Sequence, residues 1–345
     1  MFEHFSIPPL QFFEATIAPT FADLVPGNMP YDGTLHEFTL MDDVVNKRPI
    51  IDIRRVKNIL QRRDASCDIN YKRVAGVGTR QIEVMELAGG AKHCKHEFYQ
   101  GCLKDWRNDD PLFGNKVLPF FQDAAKTDIA SNSYFGKVSR VVNPSWQWSL
   151  NLYDGVFEWI FKYINAGVIP ATQTITIPAG MDFRQKTADA YQLIKQLYDK
   201  QNTLMRSFPA KEKAFYVSQA VADGYRTYLQ QLGNGSCCAI EAYTNGIDIL
   251  AYNGIPIYVE PIWEPILEEL NGANTHAAIL TILTLRGNFV FATDKRYGEG
   301  PELNEALMVW YEERELSWYY QMFLKAGTQI ALPEHVVIAL SKFNL

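Results

Sequence analysis

The sequence predicts an α+β chain, and three patterns carry that prediction. Ile247, Ile249 and Ala251 alternate with Asp248 and Tyr252, Ile255, Ile257 and Val259 alternate around Tyr258, and Asn253-Gly254 lies between the two runs. Period-two alternation on both sides of Asn-Gly is the strongest short-range hairpin signal. From Ala278 to Ala292 a longer apolar run is broken by Arg286-Gly287-Asn288, which reads as a turn between two buried strands. Elsewhere apolar residues recur at helical spacing, as along Leu118, Phe121, Ala125, Ile129 and Ala130.

Residues 1–50 hold Pro8, Pro9, Pro19, Pro26, Pro30 and Pro49, with Phe2, Phe5, Phe12, Phe13 and Phe21 among them. Proline breaks helices and removes donors, while the phenylalanines need burial. Two readings fit: an arm that packs on another surface, or a strand and loops on the chain's own core. Ile50, Ile51 and Ile53 then form a β-run, and Gln81 to Leu87 alternates as a second strand. Between them Arg54, Arg55, Lys57, Arg62, Arg63, Lys72, Arg73 and Arg80 face few acids. Strand, turn and strand with little core suggest an extended basic hairpin; a solvated basic face is the plainer reading.

Ala91 to Arg107 places Phe98, Cys102, Leu103 and Trp106 at helical spacing, and Asp110-Pro111 caps a second helix that ends near Gly136, started or kinked by Pro119. Trp148 to Ile164 puts Leu152, Val156, Trp159, Ile160 and Tyr163 on one helical face. Thr174–Ile177 reads as a strand, Gln185–Ser207 as a helix, and Ala214–Ser218 as a strand whose Ser218 caps a helix carrying Val221, Tyr225, Tyr228 and Leu232 inward. Pro256 cannot donate to a ladder, so its strand lies at an edge or begins there. Leu303–Trp310 and Glu315–Leu324 read as aromatic-rich sheet segments, and Ile330 with Val336–Leu340 closes the sheet.

Several segments, taken in order, carry a resemblance. They are L-P-F-F-Q-D-A-A-K-T-D-I-A-S-N-S-Y-F-G ending at Gly136, the pair Asp154-Gly155, and D-G-Y-R-T-Y-L from Asp223. G-I-D-I-L-A-Y-N-G-I-P-I from Gly246, the run through Leu280 to Asp294, and K-A-G-T-Q-I-A-L-P-E-H-V-V from Lys325 follow. Over residues 92–338 the chain resembles major capsid proteins of tailed double-stranded DNA phages, the HK-ninety-seven-like fold. The resemblance implies an N-terminal arm at 1–50 and an E-loop hairpin at 51–90. It implies a peripheral domain with spine helix at 91–148, an axial domain at 149–278, and the rest of the peripheral domain, with its long sheet, at 279–345. It also implies hexamers and pentamers in an icosahedral shell around viral DNA. Assembly would take place in the host bacterial cytoplasm, with portal, scaffolding or decoration proteins as partners and no membrane. An encapsulin-like nanocompartment shell is the alternative within the fold. No long charged helical prefix precedes the arm, so a fused scaffold is not expected.

The 345 residues suffice for more than one packing unit, and apolar (47%) and charged (21%) fractions are those of a folded chain. Aromatics at 13% suit large interiors and interfaces alike. A net charge of -6 does not indicate general nucleic-acid affinity. Cys67, Cys94, Cys102, Cys237 and Cys238 are odd in number and irregular in spacing, which predicts reduced intracellular thiols. No signal peptide is expected, and no run of about 18 apolar residues predicts a transmembrane helix.

Phosphate-loop, nucleophile-elbow and His-Glu-x-x-His signatures are absent from the sequence. His93, Cys94, His96 and Cys102 fall close together, but only His93 and His96 would share a helical face, so a metal-dependent intracellular hydrolase using His93, His96 and Cys102 is the least favoured reading. No catalytic residue, metal or cofactor is expected. The acids form two patches, Glu260, Glu264, Glu268 and Glu269, and Glu299, Glu302, Glu305, Glu312, Glu313 and Glu315, the second relieved only by Arg314. Against them stands the basic hairpin. Arg54, Arg55, Arg62, Arg63, Lys72 and Arg73 facing Glu264, Glu268, Glu312 and Glu313 of a neighbouring subunit would set register and encounter more than affinity. Two unrelated solvated faces are the plainer reading.

Overall fold

The computed structural model describes residues 38–41, 44–55, 75–94, 112–141, 148–177, 183–231, 240–244, 247–271, 280–294, 307–312, 314–315 and 317–341. The strands in chain order are β1 (Thr39–Met41), β2 (Lys47–Arg55), β3 (Ala75–Glu83), β4 (Met85–Cys94), β5 (Thr174–Ile177), β6 (Lys213–Val217) and β7 (Ile240–Thr244). They continue as β8 (Ile247–Tyr252), β9 (Ile255–Val259), β10 (Leu280–Leu285), β11 (Phe289–Ala292), β12 (Leu307–Glu312), β13 (Ser317–Ile330) and β14 (Val337–Ser341). The helices are α1 (Leu112–Phe135), α2 (Val156–Asn165), α3 (Thr187–Asp199), α4 (Thr203–Ser207), α5 (Gln219–Gln231) and α6 (Trp263–Asn271).

A seven-stranded sheet in the order β5-β14-β10-β6-β9-β8-β7 forms the central layer. Every residue of β6 and β10 is buried, as expected for strands covered on both faces. Phe215, Val217 and Leu283 point to one side, where α3 and α5 supply Leu193, Ile194, Leu197, Val221 and Tyr225. Tyr216, Ile282 and Ile338 point to the other, toward Phe135, Phe157, Trp263 and Phe289. A five-stranded sheet runs β1-β11-β13-β12, with β4 also paired to β13, and the fourteen-residue β13 is its spine. Strands β2 and β3 form a separate two-stranded sheet.

The two larger sheets are joined by continuous chain. The Arg286-Gly287-Asn288 turn carries β10 of the seven-stranded sheet into β11 of the five-stranded one, and residues 331–336 carry β13 back into β14. Asn288 ties these crossings together. Its Nδ2 donates to the Leu332 carbonyl at 3.0 Å and to Thr284 Oγ1 at 2.7 Å, and its Oδ1 accepts from the Leu332 amide at 2.7 Å.

Several expectations need correction. Ala91–Cys94 is strand, not helix, because β4 pairs with β13 from Met85 through Cys94; residues 95–107 lie outside the described ones. Residues 148–155 are non-helical and α2 starts only at Val156, since the Asn132 side chain holds the preceding loop by accepting from the Leu152 amide and donating to the Ser149 carbonyl. Helix α1 runs through Pro119 rather than starting there. Gln185–Ser207 is two helices, because Asn202 caps α4 by accepting from the Met205 amide at 2.6 Å. The Asn253-Gly254 hairpin is present, with φ of 51° and 75°, as a type I′ turn requires. Its second strand, β9, is interior, lying between β6 and β8; the paired register with β6 begins at Ile257, just after Pro256. Val337–Leu340 belongs to the seven-stranded sheet and not to the sheet of Ile330. Hence the seven-stranded sheet takes β10 and β14 from beyond residue 278, across the expected axial boundary.

Candidate assembly surface

The β2–β3 hairpin stands apart from the two larger sheets. Its register runs from Lys47 opposite Glu83 to Arg55 opposite Ala75, and among the described residues neither strand pairs with a third. Lys47, Arg48 and Pro49 are exposed. A lone two-stranded ribbon is marginal in water and needs a surface to lie on.

The base of the hairpin is fastened where the two larger sheets meet. The amide of Val84 donates to Asn46 O at 3.0 Å, and Ile82 is fully buried beside Val44, Val84 and Val290. The side chain of Gln329, itself buried, donates to Gln81 O at 3.1 Å and accepts from Tyr163 Oη and the Ile330 amide. Arg80 donates to the Ala331 carbonyl and pairs with Glu334 at 3.3 Å. Burial pushes the Tyr163 phenol up, partly countered by the Arg80 charge. Lys325 adds an ionic clamp with Asp294 and Glu86, each at 3.5 Å, and donates to Val45 O at 3.0 Å. A largely buried lysine requires such partners.

The N-terminal segment meets the body at Phe38, whose ring packs 5.5 Å from those of Tyr134 and Phe289. Strand β1 adds in parallel to β11, and Val44 N donates to Thr293 O. Residues 38–41 and Val44 therefore belong to the chain's own body, in part as the second reading of 1–50 had it; residues 1–37, with all the phenylalanines that motivated the arm, lie outside the described ones.

The expected charged residues are placed as follows. Arg54 and Arg55 are in β2, opposite Gly76 and Ala75, with their side chains outside the described set; Arg62, Arg63, Lys72, Arg73 and Glu313 lie outside it altogether. Glu312 ends β12 opposite Ser317, and Glu268 is exposed on α6. Glu264 is not in a purely acidic patch. Its carboxylate pairs with Arg184 at 2.7 Å and accepts from the Ala220 amide in the first turn of α5. That contact is the cap expected of Ser218, whose buried Oγ makes no hydrogen bond among the described residues. Glu315 likewise has a cation, Lys92, and accepts from Tyr319; these hydrogen bonds hold the Glu315 carboxyl below its usual range and the Lys92 ammonium above its own. Arg184 and Lys92 stand far from these acids in sequence, so the patches look unrelieved on paper.

Among the described residues no group of three or more His, Cys, Asp or Glu side chains is arranged to hold a metal. His93 lies in β4 against the Tyr320 ring at 6.0 Å, so the helical spacing that would align it with His96 does not hold there; His96 and Cys102 are outside the described residues. No described helix is long and apolar enough to cross a membrane.

The sequence matches no family model and no curated protein. The structure does match solved ones. It is similar to a chain of the satellite phage P4 procapsid, with a TM-score of 0.56 at 11% identity over 95% of this chain and 91% of that one. It is similar to a chain of the holo-SrpI encapsulin complex of Synechococcus elongatus, with a TM-score of 0.52 at 9% identity over 88% and 84%. A chain of Mycobacterium phage Ogopogo gives 0.50 at 7% identity over 89% and 90%. At such identities the likeness is one of fold, and it extends over nearly the whole chain: this is the α+β fold of phage capsid proteins that the sequence led us to expect.

Proposed function

We propose that a chain with this fold is a structural one, a major capsid protein whose copies form the hexamers and pentamers of an icosahedral phage shell around double-stranded DNA. The observation that carries the reading is the β2–β3 ribbon, fastened firmly at its base and unpaired along both outer edges among the described residues. Such a ribbon gains its burial on a sibling copy. The mechanism is geometric: no bond is made or broken, and shell stability comes from many copies of one interface whose summed area far exceeds a standard contact.

In this account the seven-stranded sheet with α3, α4 and α5 is the axial unit that meets its copies around the local symmetry axis. The five-stranded sheet with α1 is the peripheral unit. Residues 1–37 form the arm, and the basic tip of the hairpin, with Arg54, Arg55, Arg62, Arg63, Lys72 and Arg73, meets acids of the neighbour such as Glu268, Glu312 and Glu313. Glu264 contributes less there, being engaged by Arg184. DNA is contained and not read, which an acidic chain permits because packaged DNA carries its own counterions. Portal, scaffolding or decoration proteins complete the particle, assembled in the host bacterial cytoplasm.

The likeness to the encapsulin chain supports a second reading, a protein nanocompartment with the same shell geometry. Nuclease-protected DNA inside purified particles separates the two.

The testing experiment replaces residues 56–74 by a short turn. The account expects a folded protein with unchanged circular dichroism that no longer forms shells. Normal shells from this variant would refute the role given to the hairpin.

A further inference from the structure

Five tyrosines converge on the face of the seven-stranded sheet covered by α3 and α5. Tyr191 of α3 lies 5.0 Å from Tyr228 of α5 between ring centroids, at 30°, and 6.3 Å from Tyr225 with the rings nearly parallel. Tyr252 of β8 lies 6.0 Å from Tyr191 and 5.6 Å from Tyr198. The inner members are held in place: Tyr225 donates to the Ala251 carbonyl at 3.1 Å, and the Tyr252 ring meets that of Tyr191 edge-on. The outer members, Tyr191, Tyr198 and Tyr228, are half-buried, so small solutes reach them.

The shell reading does not use this arrangement. A core needs apolar rings, and phenylalanine would fill the same space without hydroxyls to satisfy. Packed phenols are, however, readily oxidised side chains, and an electron removed from any one can be drawn from its neighbours at these separations. Tyr191 touches three of the other four and is the hub.

We infer that this cluster is a modification site, at which one-electron oxidants of the peroxyl or carbonate-radical class join Tyr191 to Tyr228 through a carbon–carbon bond. Each phenol gives one electron to one oxidant molecule and one proton to water, which leaves two phenoxyl radicals. Their ortho carbons couple, and the hydrogens on those carbons move to the oxygens as the rings regain aromaticity. The product lacks two hydrogens, and two oxidant equivalents are reduced. The bridge would staple α3 to α5 within one chain and, like any cross-link, restrict the unfolded state.

The test irradiates the full-length protein with ruthenium tris-bipyridine and persulfate, at low protein concentration, and reads dityrosine fluorescence and peptide masses. The proposal expects an intrachain peptide pair joined at 191 and 228, with a yield independent of protein concentration. It expects a higher denaturation midpoint in the oxidised protein. Tyr228→Phe and Tyr191→Phe, both folded by circular dichroism before irradiation, should each abolish the product. Bridges chiefly between chains, a bridge at another pair, or undiminished fluorescence in either variant would overturn it.

Discussion

The amide of Gly155 donates to the carbonyl of Gly136 at 2.8 Å, and a Cβ on either residue would overlap backbone oxygens of Asn132, Tyr153 or Tyr134. This is where the end of α1 meets the start of α2, backbone on backbone. Asp154 reinforces it by accepting from Val138 N at 3.0 Å and pairing with Lys162 at 2.6 Å.

Gly136→Ala and Gly155→Ala should therefore each cost about 3 kcal/mol, at the upper end of overpacking effects, with the strain spread through Asn132 and its contacts. Chemical denaturation of the purified variants measures this. A cost under about 1 kcal/mol at both sites would mean that the helices separate easily and that the close approach is not required.

Asn288 is the next most sensitive position. Asn288→Ala removes three hydrogen bonds: the Leu332 amide loses its acceptor and Thr284 Oγ1 its donor, while the Leu332 carbonyl keeps the His335 amide. Unsatisfied groups cost about 1–3 kcal/mol each when buried; because Leu332 is only partly buried, the expected loss is about 2–3 kcal/mol in total. Asn288→Asp keeps the acceptor for Leu332 N and should lose less in the same denaturation assay.

The cap of α5 gives a contrast between two substitutions. Glu264→Ala removes the carboxylate at Ala220 N and should cost about 1 kcal/mol, less in high salt. Ser218→Ala removes an oxygen that makes no hydrogen bond among the described residues and should cost under about 0.5 kcal/mol. The reverse order in urea titrations would restore the serine cap expected from the sequence.

Stability should fall in alkali. Burial pushes the Tyr320 phenol up to about 12, and burial followed by the Tyr191 hydroxyl pushes Tyr252 up to about 12, from the usual 10.0. Burial raises Tyr134 and Tyr153 as well. A phenol that holds its proton more tightly when folded contributes stability that is complete below pH 10 and is lost as pH rises toward 12. Denaturation midpoints should decline across that window, and tyrosinate absorbance should rise in two phases, exposed phenols before buried ones. A single phase with unchanged midpoints would contradict the burial.

The sequence made the local elements legible and the long-range ones not. Asn253-Gly254 announced its turn because φ above zero at both positions restricts the residue types. The 24-residue α1 followed from periodicity, and the β2–β3 pairing only in part: the expected second strand, Gln81–Leu87, falls across the end of β3 and the start of β4, and Ala75–Arg80 was not expected to pair. What local pattern could not give was sheet membership: β10 and β11 are one short turn apart yet lie in different sheets. The same limit hid the partners of Glu264 and Glu315, since Arg184 and Lys92 are brought in only by the tertiary fold. His93 misled because helical spacing can arise by chance in a strand that draws its pairing from β13.

Electron microscopy of the expressed, purified full-length protein tests the central claim most directly. The account predicts closed shells, or the rings of five and six copies that build them. A compact monomer at high concentration, with residues 1–37 and the hairpin tip at 56–74 folded onto its own body, would contradict it.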